Sequence, residues 1–403
     1  MMDVKKIRED FPILDLKVRG KPIIYFDNAC VSLKPRQVVE AMNRYYYEFT
    51  ACHGRSIHYL SKYTTAEYEK ARQKIAEFIG AQPNEIIFTK NTTEAINIVA
   101  NGLDLVAGDK VITTNLEHNS GLLPWRMLAE KGIKHEMVLV DENGEFNMEE
   151  FEKKIDKKTK IVSVIHSSNV MGTTMPIEDI CKIAHDYGAL VLADGAQTVP
   201  HKEINVRKLR VDFYAFSGHK MLGPSGTGAL YGRFDFLEKL KPLMYGGETV
   251  KNVTKDKYEF EEIPQKFEAG LQNYAGAIGF GAAVDYLNKI KMCNIEKHDR
   301  EIVKEMLTGF ENVPVKLYGP KKENRGPVFA FNLPGLPAHE VAIMLDEIAN
   351  IYVRSGMHCT HMYHQEFLGA NTGTVRASTY LYNTKEEVTT FFEILGKIAK
   401  QFS

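Results

Sequence analysis

Ala189-Leu190-Val191-Leu192-Ala193-Asp194 is a short apolar run that stops on a carboxylate. A strand buried on both faces reads as such a run, whereas a strand with one wet face alternates. Upstream, Ile161-Val162-Ser163-Val164-Ile165 has the same texture, and downstream so does Asp212-Phe213-Tyr214-Ala215-Phe216. Between and around these runs lie segments of helical spacing. The pattern predicts strands over 85–89, 110–114, 134–140, 160–165, 189–193, 211–216 and 228–231. Helices are expected over 64–80, 93–106, 122–131 and 177–187. The first is placed by the capping-box spacing of Thr64 and Glu67 and by Gly80 at its end. Strands alternating with helices of this length make an α/β fold with a mostly parallel sheet.

From Tyr274 the texture changes. Long helical patterns over 274–290 and 295–310 lead to short strands over 328–332 and 375–378, then a helix over 385–400. The expected division is a large α/β domain over 18–282. A smaller α+β domain is expected from 1–17 together with 283–403.

The 403 residues carry 51 Lys and Arg against 52 Asp and Glu, a net charge of −1. Such balance excludes a broad electrostatic grip on nucleic acid or anionic lipid. The five cysteines (Cys30, Cys52, Cys181, Cys293, Cys359) are odd in number and contain no CxxC pair. That argues against a disulfide framework and for a reducing compartment. No apolar run is long enough to span a bilayer, and the charged first ten residues lack a secretory core. A cytoplasmic protein is the expectation.

In open α/β sheets, ligands bind beyond the carboxyl ends of the strands. Several polar residues fall there. Lys220 follows a strand within Ser217-Gly218-His219-Lys220. If buried, its amine becomes a nucleophile suited to a Schiff base; otherwise it is a surface lysine in a glycine-rich turn. Asp194 can hold a protonated pyridine nitrogen, or simply cap a turn. Asn91-Thr92-Thr93-Glu94 opens a helix; it offers an anion site or ordinary capping. His118 can stack on a ring or stand in solvent. Cys359 by itself reads equally well as a small buried hydrophobe. His358, Cys359, His361 and His364 lie within seven positions, but without an established zinc spacing, and no metal is expected.

Taken together, Ala193-Asp194-Gly195-Ala196-Gln197-Thr198-Val199-Pro200-His201 and Phe216-Ser217-Gly218-His219-Lys220 resemble the class V aminotransferase family of fold-type I pyridoxal-phosphate enzymes. Val353-Arg354-Ser355-Gly356-Met357-His358-Cys359 is similar to the active-site loop of its second group of cysteine desulfurases, which includes selenocysteine-lyase-like enzymes. The likeness runs from Tyr25-Phe26-Asp27-Asn28-Ala29 to Tyr382-Asn383-Thr384-Lys385. It implies a seven-stranded sheet, a pyridoxal 5'-phosphate cofactor and a homodimer. L-cysteine would be converted to alanine with sulfur taken up as a persulfide, for an acceptor or iron–sulfur scaffold protein.

Residue by residue, the resemblance makes Lys220 the Schiff-base lysine and Asp194 the partner of the pyridine nitrogen. Gln197 would contact the ring hydroxyl and His118 would stack on the ring. Thr92, Thr93, Ser217 and His219 would hold the phosphate. Asn169, Arg376 and Arg354 would meet the substrate. Cys359 would take the sulfur, with Arg354 and His358 favouring its thiolate. Selenocysteine lyase, a class V aminotransferase or epimerase, and a non-catalytic sulfur-assembly subunit remain open. Three stretches depart from the family's pattern. Leu271 stands where relatives place a phosphate-binding threonine that reaches across a dimer interface, so Gln272 or a backbone amide would have to replace it. Ser56 replaces an expected glycine, and Thr360-His361-Met362 follows Cys359 where relatives usually carry Ala-Gln-Pro. Cys30, Cys52, Cys181 and Cys293 are expected to be structural or incidental.

Overall fold

The structure is a computed structural model describing residues 2–141, 143–321 and 325–402. Before the main sheet come α1 (Arg36–Glu48) and α2 (Tyr59–Phe78). The sheet is built from β1 (Ile86–Thr89), β2 (Lys110–Thr114), β3 (Lys134–Val138), β4 (Thr159–Ile165), β5 (Leu190–Asp194), β6 (Phe213–Ser217) and β7 (Gly228–Gly232). Interleaved are α3 (Thr92–Gly102), α4 (Asn119–Met127) and α5 (Ile177–Asp186). The strand order is β1-β7-β6-β5-β4-β2-β3. The pairs from β6 through β3 are parallel, and β7 runs antiparallel to both β6 and β1. Six strands therefore share one direction and β7 alone opposes them.

Both faces of the central strands β4, β5 and β6 are dry, as their apolar runs require, while the edge strand β3 is half-exposed. Val191 and Ala193 pack into one core, and Leu192 between them packs into another. Tyr214 and Phe216 divide from Phe213 and Ala215 in the same way.

The later part begins with α6 (Tyr274–Ile290), which packs on α1 and α2, and α7 (Met292–Glu311). Then come β8 (Lys316–Leu317), β9 (Val328–Asn332), α8 (Ala338–Ala349), β10 (Arg354–Gly356), β11 (Thr374–Ser378) and α9 (Lys385–Gln401). The four strands form an antiparallel sheet in the order β8-β9-β11-β10. Its core draws on Phe310, Phe329, Phe331, Val341, Phe391 and Leu395, with Ile24 and Phe26 from the start of the chain. Ile24–Tyr25 pairs in parallel with Ile351–Tyr352, and Asp27 bridges to Ser378. The segment leading to residue 30 is thus fixed to the later sheet.

The expected start of α2 is wrong by five residues. The helix begins at Tyr59, with the His58 ring accepting the Ser61 N–H as cap. Thr64 lies inside it, and its hydroxyl donates to Phe49 O at 2.7 Å. Histidine is a weak cap signal, so the Thr-x-x-Glu spacing misled.

Candidate active site

A cleft of about 240 Å³ opens at the carboxyl ends of β4, β5 and β6. Its lining includes Lys220, Asp194, Cys359, Arg376, His118 and Cys30. Every sequence-predicted site residue lines it: Thr92, Thr93, Asn169, Gln197, Ser217, His219 and Arg354 complete the set.

Asp194 is the last residue of β5, in register with Ala215 of β6. Its Oδ1 accepts the Ala196 N–H at 2.9 Å. Burial raises its pKa, while Lys220 and the Ala196 N–H pull the other way. A cation brought against this carboxylate would relieve that cost. Lys220 lies in the single 3-10 turn Gly218–Lys220 that ends β6. Burial lowers its pKa, opposed by Asp194 and reinforced by Arg376. A lysine so placed spends more time as the free amine, the form that attacks a carbonyl or removes a proton.

Ser217 Oγ receives the Thr92 N–H at 2.9 Å and lies 2.7 Å from Thr92 Oγ1, so the end of β6 is tied to the N-terminus of α3. Gly228 of β7 permits this approach. A Cβ there would stand 2.8 Å from both Asn91 Cα and Phe216 O. Thr93 Oγ1 lies 2.7 Å from Ser120 Oγ, at the start of α4. Two helix N-termini with hydroxyls thus meet at one end of the cleft, an arrangement favourable to an anion. His219 beside them has its pKa lowered by burial to about 4. It is neutral at pH 7 and keeps one N–H donor.

His118 caps α4. Its Nδ1 accepts the Ser120 N–H at 3.1 Å, which places the ring proton on Nε2. Burial, with Lys220 nearby, lowers its pKa to about 3. The ring at the cleft is therefore neutral. Gln197 commits one amide hydrogen to Ala29 O at 2.8 Å.

Arg376, on β11, gives one nitrogen to Asp27 Oδ1 at 3.1 Å and another to Asn169 O at 3.2 Å. It is 2% exposed, and its Nε has no partner among the described residues. A buried donor without an acceptor is costly unless a ligand supplies one, and a carboxylate would. Asn169 itself donates to His358 O at 2.8 Å, so it also braces the loop that carries Cys359.

That loop is strained. His358 and Cys359 are consecutive non-glycine residues in the left-handed region, with φ of +48° and +58°. Such conformations cost on the order of 1–2 kcal/mol each. They are held by Asn169, by the Asn119 N–H donating to Cys359 O at 2.7 Å, and by His358 Nε2 against Thr374 at 3.0 Å. Cys359 is half-buried and faces the same cleft as Lys220.

One expectation needs correction, and two contacts add to the others. Burial drives the His358 pKa far down, so this ring is neutral and contributes no charge beside Cys359. The Arg354 guanidinium donates to Cys30 Sγ at 2.6 Å, so that contact, rather than Cys359, takes the hydrogen bond it makes among the described residues. Cys30, expected to be structural or incidental, lines the cleft. Nothing in its spacing signalled this, because the contact depends on the pairing of residues 24–27 with the distant later sheet. The histidines after Cys359 are engaged within the protein. His364 contacts Thr360 and Thr374, and His361 contacts Asn119. Leu271 is exposed, and Gln272 turns its amide onto Ala269 O and Gly270 O in its own turn.

The class-V aminotransferase profile matches residues 24–391. The chain belongs to this family. It is 41% identical to a cysteine desulfurase of Haloferax volcanii, over 100% of this chain and 98% of that protein. It is 43% identical to a probable cysteine desulfurase of Methanothermobacter thermautotrophicus, over 99% and 98% of the two. Among solved structures, an apo cysteine desulfurase from Thermococcus onnurineus superposes with a TM-score of 0.94 at 42% identity, covering 100% and 99% of the chains. A cysteine desulfurase of Escherichia coli in an S-sulfonic acid form gives 0.91 at 31% identity, with full coverage of both.

Proposed function

We propose that this class-V family member is a pyridoxal-phosphate-dependent cysteine desulfurase. The observation that carries the reading is a single cleft holding a lysine with a lowered pKa, a buried carboxylate on the neighbouring strand end, and a thiol on a strained loop. The cofactor fits the residues present. Asp194 supplies an anion for a protonated ring nitrogen, Lys220 an amine for the aldehyde, and Thr92, Thr93, Ser217 and His219 the donors for a phosphate. His118 offers a neutral ring face, and Gln197 an amide edge. When bound, the cofactor supplies an electron sink for the α-carbon of an amino acid.

The chain's own groups would do the rest. Arg376 Nε and Asn169 receive the substrate carboxylate, which orients the α-proton and the sulfur. Lys220 would hold the cofactor's aldehyde end and, as a free base, would take the α-proton of the substrate. Cys359 Sγ forms a bond to the substrate sulfur as the carbon–sulfur bond breaks, leaving a persulfide on the enzyme. Lys220 returns a proton, and alanine departs. Cys359 is half-buried at the mouth of the cleft, where an acceptor protein would collect the sulfur. A sulfur-carrier or iron–sulfur scaffold protein is the proposed acceptor.

We place the enzyme as a homodimer. Tyr47, Ile57, Tyr59 and Leu271 are large apolar side chains more than two-thirds exposed, a surface that a second copy would cover. Sedimentation of the purified protein tests this.

The function is tested by incubating holoenzyme with L-cysteine. With a thiol reductant present to release the persulfide sulfur, alanine and sulfide in equal amounts are expected; a keto acid in place of alanine would mean a transaminase. Cys359→Ala should keep the cofactor's absorbance and lose sulfide release. Undiminished sulfide from that variant would remove the proposed nucleophile.

A further inference from the structure

The cleft holds two thiols. Cys30 and Cys359 both line it, from opposite ends of the sequence. Both also lie within electrostatic range of the Lys220 amine.

Cys30 is rigidly mounted. Its N–H donates to Asp27 O at 3.1 Å, and Asp27 bridges to Ser378 of β11. Ala29 donates to Ser378 Oγ at 2.8 Å and accepts from Gln197 at 2.8 Å. Arg354 sits on β10 directly opposite Arg376 of β11. Its guanidinium meets Cys30 Sγ at 2.6 Å. The thiol, its cationic neighbour and the carboxylate-binding arginine are thus fixed to one sheet. Cys359, by contrast, hangs on a strained loop. Two thiols lining one cleft, one of them with a guanidinium donor, are placed for sulfur to pass between them by thiol attack on a persulfide. Half-buried like Cys359, Cys30 remains reachable from the cleft.

We propose that Cys30 is a second sulfur-accepting residue, taking the sulfane sulfur from a persulfide formed on Cys359. The inference rests on the desulfurase reading. Cys30 Sγ attacks the terminal sulfur of the Cys359 persulfide. The new bond joins Cys30 Sγ to that sulfur, and the old Cys359 Sγ–S bond breaks. Cys359 leaves as a thiolate, the Cys30 thiol proton passes to solvent or to the departing thiolate, and no external oxidant or reductant is consumed. Arg354 then donates to the sulfur now carried by Cys30. The consequence is that one active site stores two sulfur atoms, because Cys359 is freed for a second substrate while Cys30 stays charged.

The test is a time course of holoenzyme with L-cysteine and no reductant, quenched with an alkylating reagent and digested. Sulfane sulfur is mapped by mass to the peptides containing residues 30 and 359. It is expected first on the 359 peptide and then on the 30 peptide. The early burst of alanine in Cys30→Ser should be half that of the parent, with Cys30→Ala as a second variant and cofactor absorbance checking that each is folded. Arg354→Lys, which keeps the charge but loses the planar fork, should slow the appearance of sulfur on residue 30. Sulfur on the 359 peptide alone, or an unchanged burst in both Cys30 variants, overturns the proposal. A disulfide-linked pair of the two peptides with free sulfide also overturns it. Absence of both alanine and sulfane sulfur would instead remove the desulfurase reading.

Discussion

Glu117 shows what a single buried carboxyl does to this cleft. It lies beside His118, where its Oε1 accepts from Thr114 Oγ1 at 2.6 Å and from the Ile165 N–H at 3.0 Å. Burial raises its pKa to about 8, with Asp194 adding to the effect. A carboxyl whose folded pKa lies above its unfolded one binds more protons when folded. Its contribution to stability is therefore fully present below the unfolded pKa of about 4.5 and is lost as pH rises toward 8, by roughly 1.4 kcal/mol for each pH unit. Glu117→Gln keeps the accepting oxygen and cannot ionise. The variant's melting temperature relative to the parent is expected to climb between about pH 5 and 8 and level off above. A difference that stays flat across that range would mean the carboxyl ionises freely. Lys220→Ala is the companion at this scale. It should abolish alanine formation, and borohydride should no longer fix the cofactor covalently to the chain. Retained covalent labelling would place the tether elsewhere.

Among the elements, the central strands of the main sheet (β4, β5 and β6) were legible because they are buried on both faces and read as apolar runs. Lys110–Thr114 and Val328–Asn332 match expectation at both ends. The direction of β7 was not legible, since Gly228–Gly232 looks the same whichever way it runs. Helices α1 and α8 are hard to read because apolar residues off the buried face, such as the exposed Val39 and Ile343, blur their stripes. The site residues at strand ends were readable from position plus family motif. Cys30 and Arg354 were not readable as a pair, because 324 residues separate them and only tertiary pairing joins them. The close fit of β10 and β11 gives an element-level prediction. Gly373 has φ +85°, and a Cβ there would lie 2.5 Å from Gly356 C. Gly373→Ala must move the strand that leads into the Cys359 loop. It should lower stability by about 1–3 kcal/mol and slow sulfur transfer to Cys359 more than it weakens cofactor binding. Equal losses in both would point to general unfolding.

For the molecule as a whole, one buried ion pair ties together parts distant in sequence. Arg72 of α2 is 1% exposed and grips Glu268 through two nitrogens, at 2.7 and 2.9 Å. Glu268 also accepts from Tyr68 Oη at 2.9 Å and from the Phe88 N–H of β1 at 2.8 Å. Helix α2, the first strand of the sheet and the turn preceding α6 therefore share one carboxylate. Removing Glu268 leaves the buried Arg72 with only Glu69, whose Oε2 accepts its Nε at 2.9 Å, as counter-charge; breaking a buried pair costs up to about 3–5 kcal/mol, whereas replacing both partners with apolar groups costs far less. Glu268→Ala should thus lower the melting temperature by roughly 4–6 °C for a chain of this size. Arg72→Met combined with Glu268→Met should recover most of that loss. Because Leu271 lies three residues beyond Glu268 on an exposed turn, the single variant should also loosen the proposed dimer contact. Sedimentation should show a weaker association for Glu268→Ala than for the double variant. If the double variant melts as low as the single one, the pair acts through its polar contacts with Tyr68 and Phe88 rather than through charge, and the turn is held by hydrogen bonds alone.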